Sequence, residues 1–548
     1  MQLSIVICQM QSILGDIDAN FLKIKNFYEN NLDSQLVVYP EFALCGYSPC
    51  DELFNLDFQN LINLYIHKLV EITQSQKTAM LVGSPYFIDN KIYNVALFIQ
   101  NGEIKQIIYK SCFPNYGVFN EHRYFSTINN QSNIIEFLGV KIGVFICEDM
   151  WREDFVDKVV SQNPQILISI NASVFESNKY NIRKNLAQNV VKKAQVPLIY
   201  LNCVGALDEV VFDGSSFYMN LDYKILYTLT HCIEDTLNTM FHVKHREIIS
   251  KNQNSYNFDE NYLNYQAIIL SLRNFISLNN FKGVIIGLSG GIDSVLSATL
   301  ATDALGSQNV MLVSMPSKYT SSLSKQIISE CINNLQVKFL EIPIDDILNT
   351  YKTNLANLDL TKNFVLENLQ ARIRGNILMS LSNIYSNFMV LTTGNKSEIA
   401  TGYSTLYGDS CGGFNLLKDL YKTQIFSISN YRNANIPQSS LLQKLNVIPL
   451  QAITRAPSAE LRDNQKDEDS LLPYETLDKI LYQLIENNSS TDELYKNFNQ
   501  QDVKKVLKLL KNSHYKRMQS AQGVKLSSQS LNSREYIYPL AIKYNELQ

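Results

Sequence analysis

Three polar side chains in the first half of the chain stand at the ends of apolar runs: Glu41 after QLVVYP, Lys110 after IKQIIY and Cys147 after GVFI. A Glu, a Lys and a Cys that converge are what a thiol amidase needs. Glu41 would take the thiol proton, and the thiolate would attack a carboxamide carbon. Lys110 and a backbone N–H just after Cys147 would stabilise the tetrahedral oxyanion. Ammonia would leave, and water would cleave the thioester with Glu41 again as base. Each residue fits a plain structural role equally well. Glu41 could be a first-turn helix acid after Pro40, Lys110 a solvated strand-end lysine, and Cys147 one of nine small buried cysteines. GVFICEDMW adds a difficulty, because Glu148 and Asp149 beside Cys147 should raise the thiol pKa and make it less reactive. Residues on either side of a strand-end turn need not face the same way. Those two acids are therefore expected to hold the turn, and activation is expected from the distant Glu41 and Lys110.

The second half carries a different chemistry. GLSGGIDSVLSATLATDAL (287–305) reads as strand, glycine-rich turn and helix. Gly290 and Gly291 let the backbone approach a ligand, and the amides of the first helical turn then favour an anion. Neither GxxxxGK[ST] nor GxGxxG is present, which excludes a P-loop NTPase and a Rossmann dinucleotide site. A tight turn with Asp293 stabilising the helix N-terminus would account for this stretch taken alone. LTTGNKSEIATGYSTLYGD (391–409) adds a second strand end with Glu398 and Asp409, ENLQARIRGNILM puts Arg372 and Arg374 in a helix, and DLYKTQIF supplies Lys422. Two carboxylates near a phosphate loop suggest Mg²⁺ held with phosphates, and Arg and Lys suggest charge neutralisation during nucleotidyl transfer.

The elements that must position these groups differ between the halves. Short apolar runs at 3–8, 35–40, 79–84, 141–147, 165–171 and 197–202 alternate in part with amphipathic stretches such as FLKIKNFYENNL. VALFIQ-NG-EIKQIIY places Asn101-Gly102 between two alternating runs, a strong hairpin signal. This predicts a strand-rich α/β layer domain, a sandwich of two sheets. HREIISKNQNSYNFDENY (245–262) is polar and lacks an apolar period, so the boundary is expected there: a first domain over 1–245, a linker over 246–262 and a second domain over 263–548. Beyond it, GVIIGL, NVMLVSMP, VKFLEIPI, a long helix from about Glu367 and FMVLTTG alternate strand with helix. That rhythm predicts a doubly wound parallel sheet, with ligands beyond the carboxyl ends of its strands.

Bulk properties exclude several classes. The 548 residues suit two large domains, and 45% hydrophobic with 18% charged residues fits globular cores. A net charge of −4 without a basic block argues against nucleic acid as the main partner. Nine cysteines with no CxxC pair read as reduced cytosolic thiols, and His242-x-x-His245 with Cys232 has poor metal spacing. The first apolar run is broken by Gln9, Gln11 and Asp16, so it reads as a strand rather than a signal peptide. Without 18 consecutive apolar residues a membrane span is not expected, and the chain reads as soluble and cytoplasmic.

SGGIDS resembles the pyrophosphatase loop of the N-type ATP pyrophosphatases. With MPSKYTS, ENLQARIR, TTGNKSE, GYSTLYGD, DLYKTQ, PSAELR, NQKDEDSLLPYE and HYKRMQ, in this order from 287 to about 520, the second half resembles the NAD synthetases. The resemblance implies an adenine nucleotide α-hydrolase-like domain. Its reaction joins deamido-NAD to the α-phosphorus of ATP with loss of pyrophosphate, and ammonia then displaces AMP. It implies that Gly287, Leu288, Ser289, Gly290, Gly291, Ile292, Asp293 and Ser294 form the ATP loop, with Thr393 and Lys422 also on ATP. Asn368, Arg372, Glu398, Asp409 and Lys516 would bind deamido-NAD, and Asp293 and Glu398 would approach Mg²⁺. MQSAQGVKLSS departs from the family in lacking prolines.

An amide synthetase needs ammonia, which is mostly ammonium near neutral pH. In the first half, YPEFALCGYSP, KSCFPNYGVFNEHRYF, GVFICEDMW, INASVFESNK and LNCVGALDEVVFDGSSF resemble the nitrilase-type carbon–nitrogen hydrolases. They are most similar to the glutaminase domains of bacterial glutamine-dependent NAD synthetases. This implies an αββα sandwich and a catalytic Glu41–Lys110–Cys147 set. Tyr116, Ser173 and Lys179 would hold glutamine, and Glu121 would orient Lys110. Phe113 and Asn120 stand where the family has Leu and Asp. The expected partners are thus glutamine, ATP and deamido-NAD, with a homodimer or larger symmetric assembly and ammonia passed from one half to the other. An amidotransferase for a purine or tRNA, or a catalytically dead regulator, is the rival. The low net charge disfavours tRNA, and the presence of Glu41, Lys110, Cys147 and Asp293 disfavours a dead scaffold.

Overall fold

The computed structural model describes residues 1–128, 131–250, 259–362, 364–462, 465, 467–532 and 535–539. The chain divides into two compact units: the first begins at Met1, and the second takes in the short segment Asp208–Val210 together with the chain from Asp259 onward.

All six apolar runs of the first unit lie on strands: Gln2–Gln9, Leu36–Val38, Ala79–Ile88, Val140–Ile146, Ile166–Asn171 and Leu198–Asn202. They belong to two mixed sheets of seven and six strands. Ile5, Ile7, Val38 and Leu81 of one sheet meet Ile142, Val144, Ile168 and Leu201 of the other in a shared core. The opposite faces are also buried. Val37, Tyr39, Met80 and Val82 pack under the helices Ile17–Glu29 and Leu56–Ile72. Phe145, Leu167 and Leu198 pack under Glu153–Val160 and Lys179–Ala194. Burial on both faces is why these strands read as unbroken apolar runs instead of alternating ones. The result is an αββα sandwich.

The Asn-Gly hairpin forms between Lys91–Gln100 and Glu103–Tyr109. Asn101 at φ 51° and Gly102 at φ 74° supply the two left-handed residues that a two-residue turn of this twist requires. The edge strand it creates ends at Tyr109 and so presents Lys110. The expected linker is shorter than its polar letters suggested. Glu247–Ser250 is a strand paired with Asp235–His242, with Ile248 buried in the inter-sheet core and Ile249 turned outward. Residues 251–258 of that stretch lie outside the described residues. Asp259 then caps the helix Glu260–Leu278.

The second unit holds a six-stranded parallel sheet. Across the sheet its strands run Lys338–Glu341, Val310–Ser314, Gly283–Gly287, Phe388–Thr392, Phe414–Asn415 and Gln522–Gly523. The first strand in sequence is central, and its neighbours lead off to opposite sides. A crevice therefore opens where the chains leaving Gly287 and Thr392 diverge. The proline-poor MQSAQGVKLSS stretch contributes the sixth strand. Asp419 anchors it, its Oδ2 accepting the Leu526 and Ser527 N–H groups at 2.7 Å each. A helical cluster from Ile399 to Leu531, with Leu477, Leu481 and Val506 at its centre, extends the unit beyond the strand–helix alternation.

Gly83 shows how closely the layers are set. A Cβ there would lie 2.5 Å from Pro40 O and 2.6 Å from Glu41 Cα. Only a glycine lets the strand Ala79–Ile88 run so near the backbone that carries Glu41. Gly83→Ala should cost on the order of 2 kcal/mol of stability. An unchanged calorimetric melting profile would contradict this close approach.

Candidate active sites

In the first unit Lys110 is buried between two carboxylates, its Nζ 2.8 Å from Glu41 Oε1 and 2.8 Å from Glu121 Oε2. Neither carboxylate is left to rotate. Glu41 Oε1 also accepts from Asn94 Nδ2 at 2.7 Å, and Oε2 accepts the Ala172 N–H at 2.8 Å. Tyr47 donates its hydroxyl to Glu121 Oε1 at 2.7 Å. Burial alone would lower the Lys110 pKa, but Glu121 and Glu41 outweigh it and hold the ammonium well above its ordinary value. Burial lifts Glu121 to about 7, against the pull of Lys110.

Cys147 follows the strand Val140–Ile146 directly and sits at φ 49°, opening a tight turn over Cys147–Trp151. The charges acting on its thiol are those of Glu41, Lys110, Glu121 and Glu148, so the side chains taken from three strand ends share one site. Burial is the largest influence and pushes the thiol well above its ordinary pKa. Glu41 adds to the rise and Lys110 opposes it, while Glu148 contributes less. The resting thiol is therefore protonated and needs a base at the moment of attack.

Asp149 accepts the Ser111 and Cys112 N–H groups at 2.9 and 2.8 Å and the Ile146 N–H at 3.2 Å. It ties the turn of Cys147 to the backbone just past Lys110, as expected for a residue that holds the turn. Burial raises it to about 6 despite those three donors. Glu148 instead accepts from Tyr116 Oη at 2.8 Å. Ser173 is held from two sides. Its N–H donates to Asn202 Oδ1 at 2.8 Å, and its Oγ accepts from Arg183 Nε at 3.1 Å. Lys179 lies 5.2 Å from the ring centre of Trp151, with Glu176 at 3.8 Å.

In the second unit a cavity of about 280 Å³ opens at the strand ends Gly287, Ser314 and Thr392. The turn from Ser289 to Ser294 is knit by its own hydroxyls. Ser289 Oγ accepts the Gly291 N–H at 3.2 Å, and Ser294 Oγ donates to Gly291 O at 2.9 Å. Gly290 is left-handed at φ +82°, and a Cβ there would lie 2.9 Å from Ser324 O. Asp293, in the first turn of the helix Ile292–Leu305, accepts from Asn395 Nδ2 at 3.0 Å and from Lys422 Nζ. Lys422 also stands 3.9 Å from Glu398 Oε1. Burial and then Asp293 raise Glu398 well above the carboxylate range. Burial also raises Asp467, whose oxygens accept from Tyr474 and Tyr403 at 3.0 and 3.2 Å.

The two sites agree with what the chain matches. Residues 4–240 match the family described as Carbon-nitrogen hydrolase, and residues 264–520 match NAD synthase. A glutamine-dependent NAD(+) synthetase of Acinetobacter baylyi is 37% identical over 548 residues, 98% of each chain. The chain belongs to the glutamine-dependent NAD(+) synthetase family. A Thermotoga maritima member is 34% identical over 590 residues, covering 100% of this chain and 99% of that one. The solved Acinetobacter baumannii synthetase in complex with ADP has a TM-score of 0.76 at 33% identity, covering 98% of both chains. The Cytophaga hutchinsonii synthetase, at 19% identity and a TM-score of 0.82 over 98% of both chains, shares the fold.

Among the positions implied by family resemblance, Asp293, Thr393, Glu398, Asp409, Lys422 and Lys516 all line the second unit's cavity. Asn368 and Arg372 do not. Asn368 Oδ1 accepts from Thr405 Oγ1 at 2.7 Å, and Arg372 is exposed, with its Nε 3.2 Å from Leu406 O. On the helix Val365–Ile384 it is Ala371, Arg374, Gly375 and Leu378 that face the cavity, one helical stripe that excludes position 372. Burial lowers Arg374 to about 10.

Several supporting residues were missed in the sequence. Asn94 was visible as a polar letter inside the apolar run KIYNVALF. Arg183 was not, because IRKNL reads as a solvated helix face. Arg183 is in fact fully buried, with its Nη1 2.8 Å from Asp213 Oδ1. Burial would raise the Asp213 pKa, but Arg183 and His231 outweigh it and hold it at about 2. A depressed carboxylate stabilises the fold above its unfolded pKa, and that contribution is lost as pH falls through the folded value. The stability lost on Asp213→Asn should thus be largest above pH of about 4 and shrink by roughly 2 kcal/mol on approach to pH of about 2. Denaturant melts across that window measure it.

Proposed function

We propose that the chain makes NAD by amidating deamido-NAD, with glutamine as nitrogen donor and ATP as activating substrate. What carries this reading is the presence, in one chain, of two dissimilar chemical sites. One is a buried thiol with a tethered carboxylate and lysine. The other is a carboxylate-flanked phosphate loop at a sheet's switch point. A hydrolase alone would need only the first.

In the amidase site Glu41 accepts the Cys147 proton as sulfur attacks the glutamine carboxamide. Lys110 faces the developing oxyanion, and because Glu121 and Glu41 keep it charged it gives up no proton there. Ammonia leaves, and Glu41 then activates the water that cleaves the thioester. The tethers from Asn94 and Ala172 fix the base, so little reorganisation is needed at attack. Tyr116, Ser173 and Lys179 hold glutamine, and Glu121 orients Lys110.

In the synthetase site the Ser289–Ser294 turn and the first amides of its helix cradle pyrophosphate, with Thr393 and Lys422 on ATP. Glu398, Asp409 and Lys516, which line the cavity, are assigned to deamido-NAD, and Asn368 and Arg372 to a part of that ligand reaching outside the cavity. The donor set suits Mg²⁺, since Asp293 and Glu398 offer hard carboxylate oxygens beside the phosphate loop and no soft ligand is among them. Bound there, Mg²⁺ supplies charge neutralisation on the leaving pyrophosphate. The ADP complex of the Acinetobacter baumannii relative supports an adenine nucleotide at this site. The reading includes a cytoplasmic homo-oligomer. No helix among the described residues is long and apolar enough to cross a membrane.

The assay is direct: ATP, Mg²⁺, deamido-NAD and either glutamine or ammonium, with NAD, AMP and pyrophosphate measured. Cys147→Ala should abolish glutamine-driven synthesis and leave most ammonium-driven synthesis. Equal loss of both in a folded variant would sink the amidase assignment. Asp293→Ala should abolish synthesis from either donor and spare glutamine hydrolysis at least in part. Retained synthesis would refute its role in the ATP site.

A further inference from the structure

The cations that line the cavity of the second unit are not held alike. Arg374 donates to Met315 O, Lys516 to Gly402 O and Ser404 O, and Arg455 to Ser324 Oγ. Arg374 and Lys516 thus meet backbone oxygens, and Arg455 also reaches Glu460 Oε1 at 3.3 Å, a carboxylate outside the pair assigned to the metal. Lys422 is buried, and its ammonium meets the carboxylates assigned to the metal: bonded to Asp293 Oδ2 and 3.9 Å from Glu398 Oε1, with Asp467 adding a weaker pull and the Tyr474 ring centre 5.4 Å away. Asp293 Oδ1 is taken by Asn395 Nδ2, whose own backbone N–H reaches Glu398 Oε2 at 3.2 Å. The oxygens left over, Asp293 Oδ2 and Glu398 Oε1, are the two that face Lys422.

From this geometry we infer that Lys422 is a placeholder cation, which occupies the carboxylate pair until a divalent ion arrives together with nucleotide phosphates. Two carboxylates set this close together and largely withdrawn from water are costly without a counter-charge, and in the nucleotide-free protein the ammonium supplies it. A divalent ion entering alone meets that ammonium at short range in a setting that screens it poorly. Nucleotide changes the balance, because its phosphates offer the ammonium a new partner and bring several negative charges. Lys422, at the N-terminus of the helix Lys422–Ala434, has a long unbranched side chain that can turn from Asp293 to a phosphate while its backbone stays fixed by the bond from its N–H to Ser397 Oγ at 3.0 Å. Metal and nucleotide therefore load together, and the free ion alone is kept out. This inference rests on the ATP and Mg²⁺ reading above.

The test uses the full-length protein and Mn²⁺, with free ion followed by electron paramagnetic resonance. Without nucleotide, Lys422→Met should bind Mn²⁺ at least tenfold more tightly than wild type, and adding Asp293→Asn should remove the gain. Circular dichroism melts check folding, and Lys422→Gln, which keeps a polar tip, replaces the methionine variant if it does not fold. Wild type gives an independent measure: its Asp293-dependent Mn²⁺ binding should be no tighter than millimolar without nucleotide. Micromolar binding by wild type, or no gain in a folded variant, overturns the placeholder role even where wild type binds ADP with Mn²⁺. If wild type fails to bind ADP with Mn²⁺ by calorimetry, the reading of the site itself falls, and this inference with it.

Discussion

A buried ammonium is tolerated only where charge and hydrogen bonds replace its water, and three lysines of this chain meet that demand in the same way. Lys110 lies between Glu41 and Glu121, Lys422 between Asp293 and Glu398, and Lys396 between Asp419 and Glu486. One lysine between two carboxylates leaves carboxylate oxygens to be satisfied, and each cluster meets them with N–H donors: Asn94 and Ala172 on Glu41, Asn395 on Asp293, Leu526 and Ser527 on Asp419. Because such a pair cannot be broken cheaply, each cluster joins segments far apart in sequence. Glu41 and Lys110 are 69 residues apart, and Asp293 and Lys422 are 129 apart. The layers around them are apolar and set distances; the ion clusters set orientation.

The thiol site shows what that orientation serves. Cys147 is surrounded by more negative than positive influence and is buried, so no stable thiolate is stored there. The chemistry is instead prepared in the base, with Glu41 held at both oxygens, and in Lys110, held charged. Asp149 completes the arrangement from the backbone side by gripping the chain on both sides of the site at once. A thiol kept protonated until substrate brings a carbonyl within reach is also less open to oxidation at rest.

The second unit solves a different problem, the handling of several phosphates. The switch point of the parallel sheet supplies a place where two strand ends part. The glycine at φ +82° lets the turn lie against the backbone of Ser324 without a side chain between. The helix Lys396–Thr401 then links the crevice to the helical cluster, since Asn395 faces Asp293, Ser397 bonds Asp478, and Lys396 joins Asp419, Glu486 and the segment after the sixth strand.

Much of this was legible because it is local. The doubly buried strands, the Asn101-Gly102 turn and the strand–glycine–helix of SGGIDS each follow from residues within a few positions of one another. The order of motifs along the chain carried the family. Other features depended on partners far away in sequence. That Asp149 serves the backbone of Ser111 and Cys112, that Arg183 is buried against Asp213, and that Gln522–Gly523 closes the sheet are not written near those residues. Nor does a helical period say which stripe faces a crevice, so Arg374 and not Arg372 was chosen by packing. The polar letters around Glu247–Ser250 concealed a strand because its pairing with Asp235–His242 and the burial of Ile248 outweigh their composition. Sequence determined which groups could react and on which elements they stand. Only the tertiary structure decided what each buried charge is paired with, because that pairing is a property of the neighbours the fold brings, not of the chain on either side.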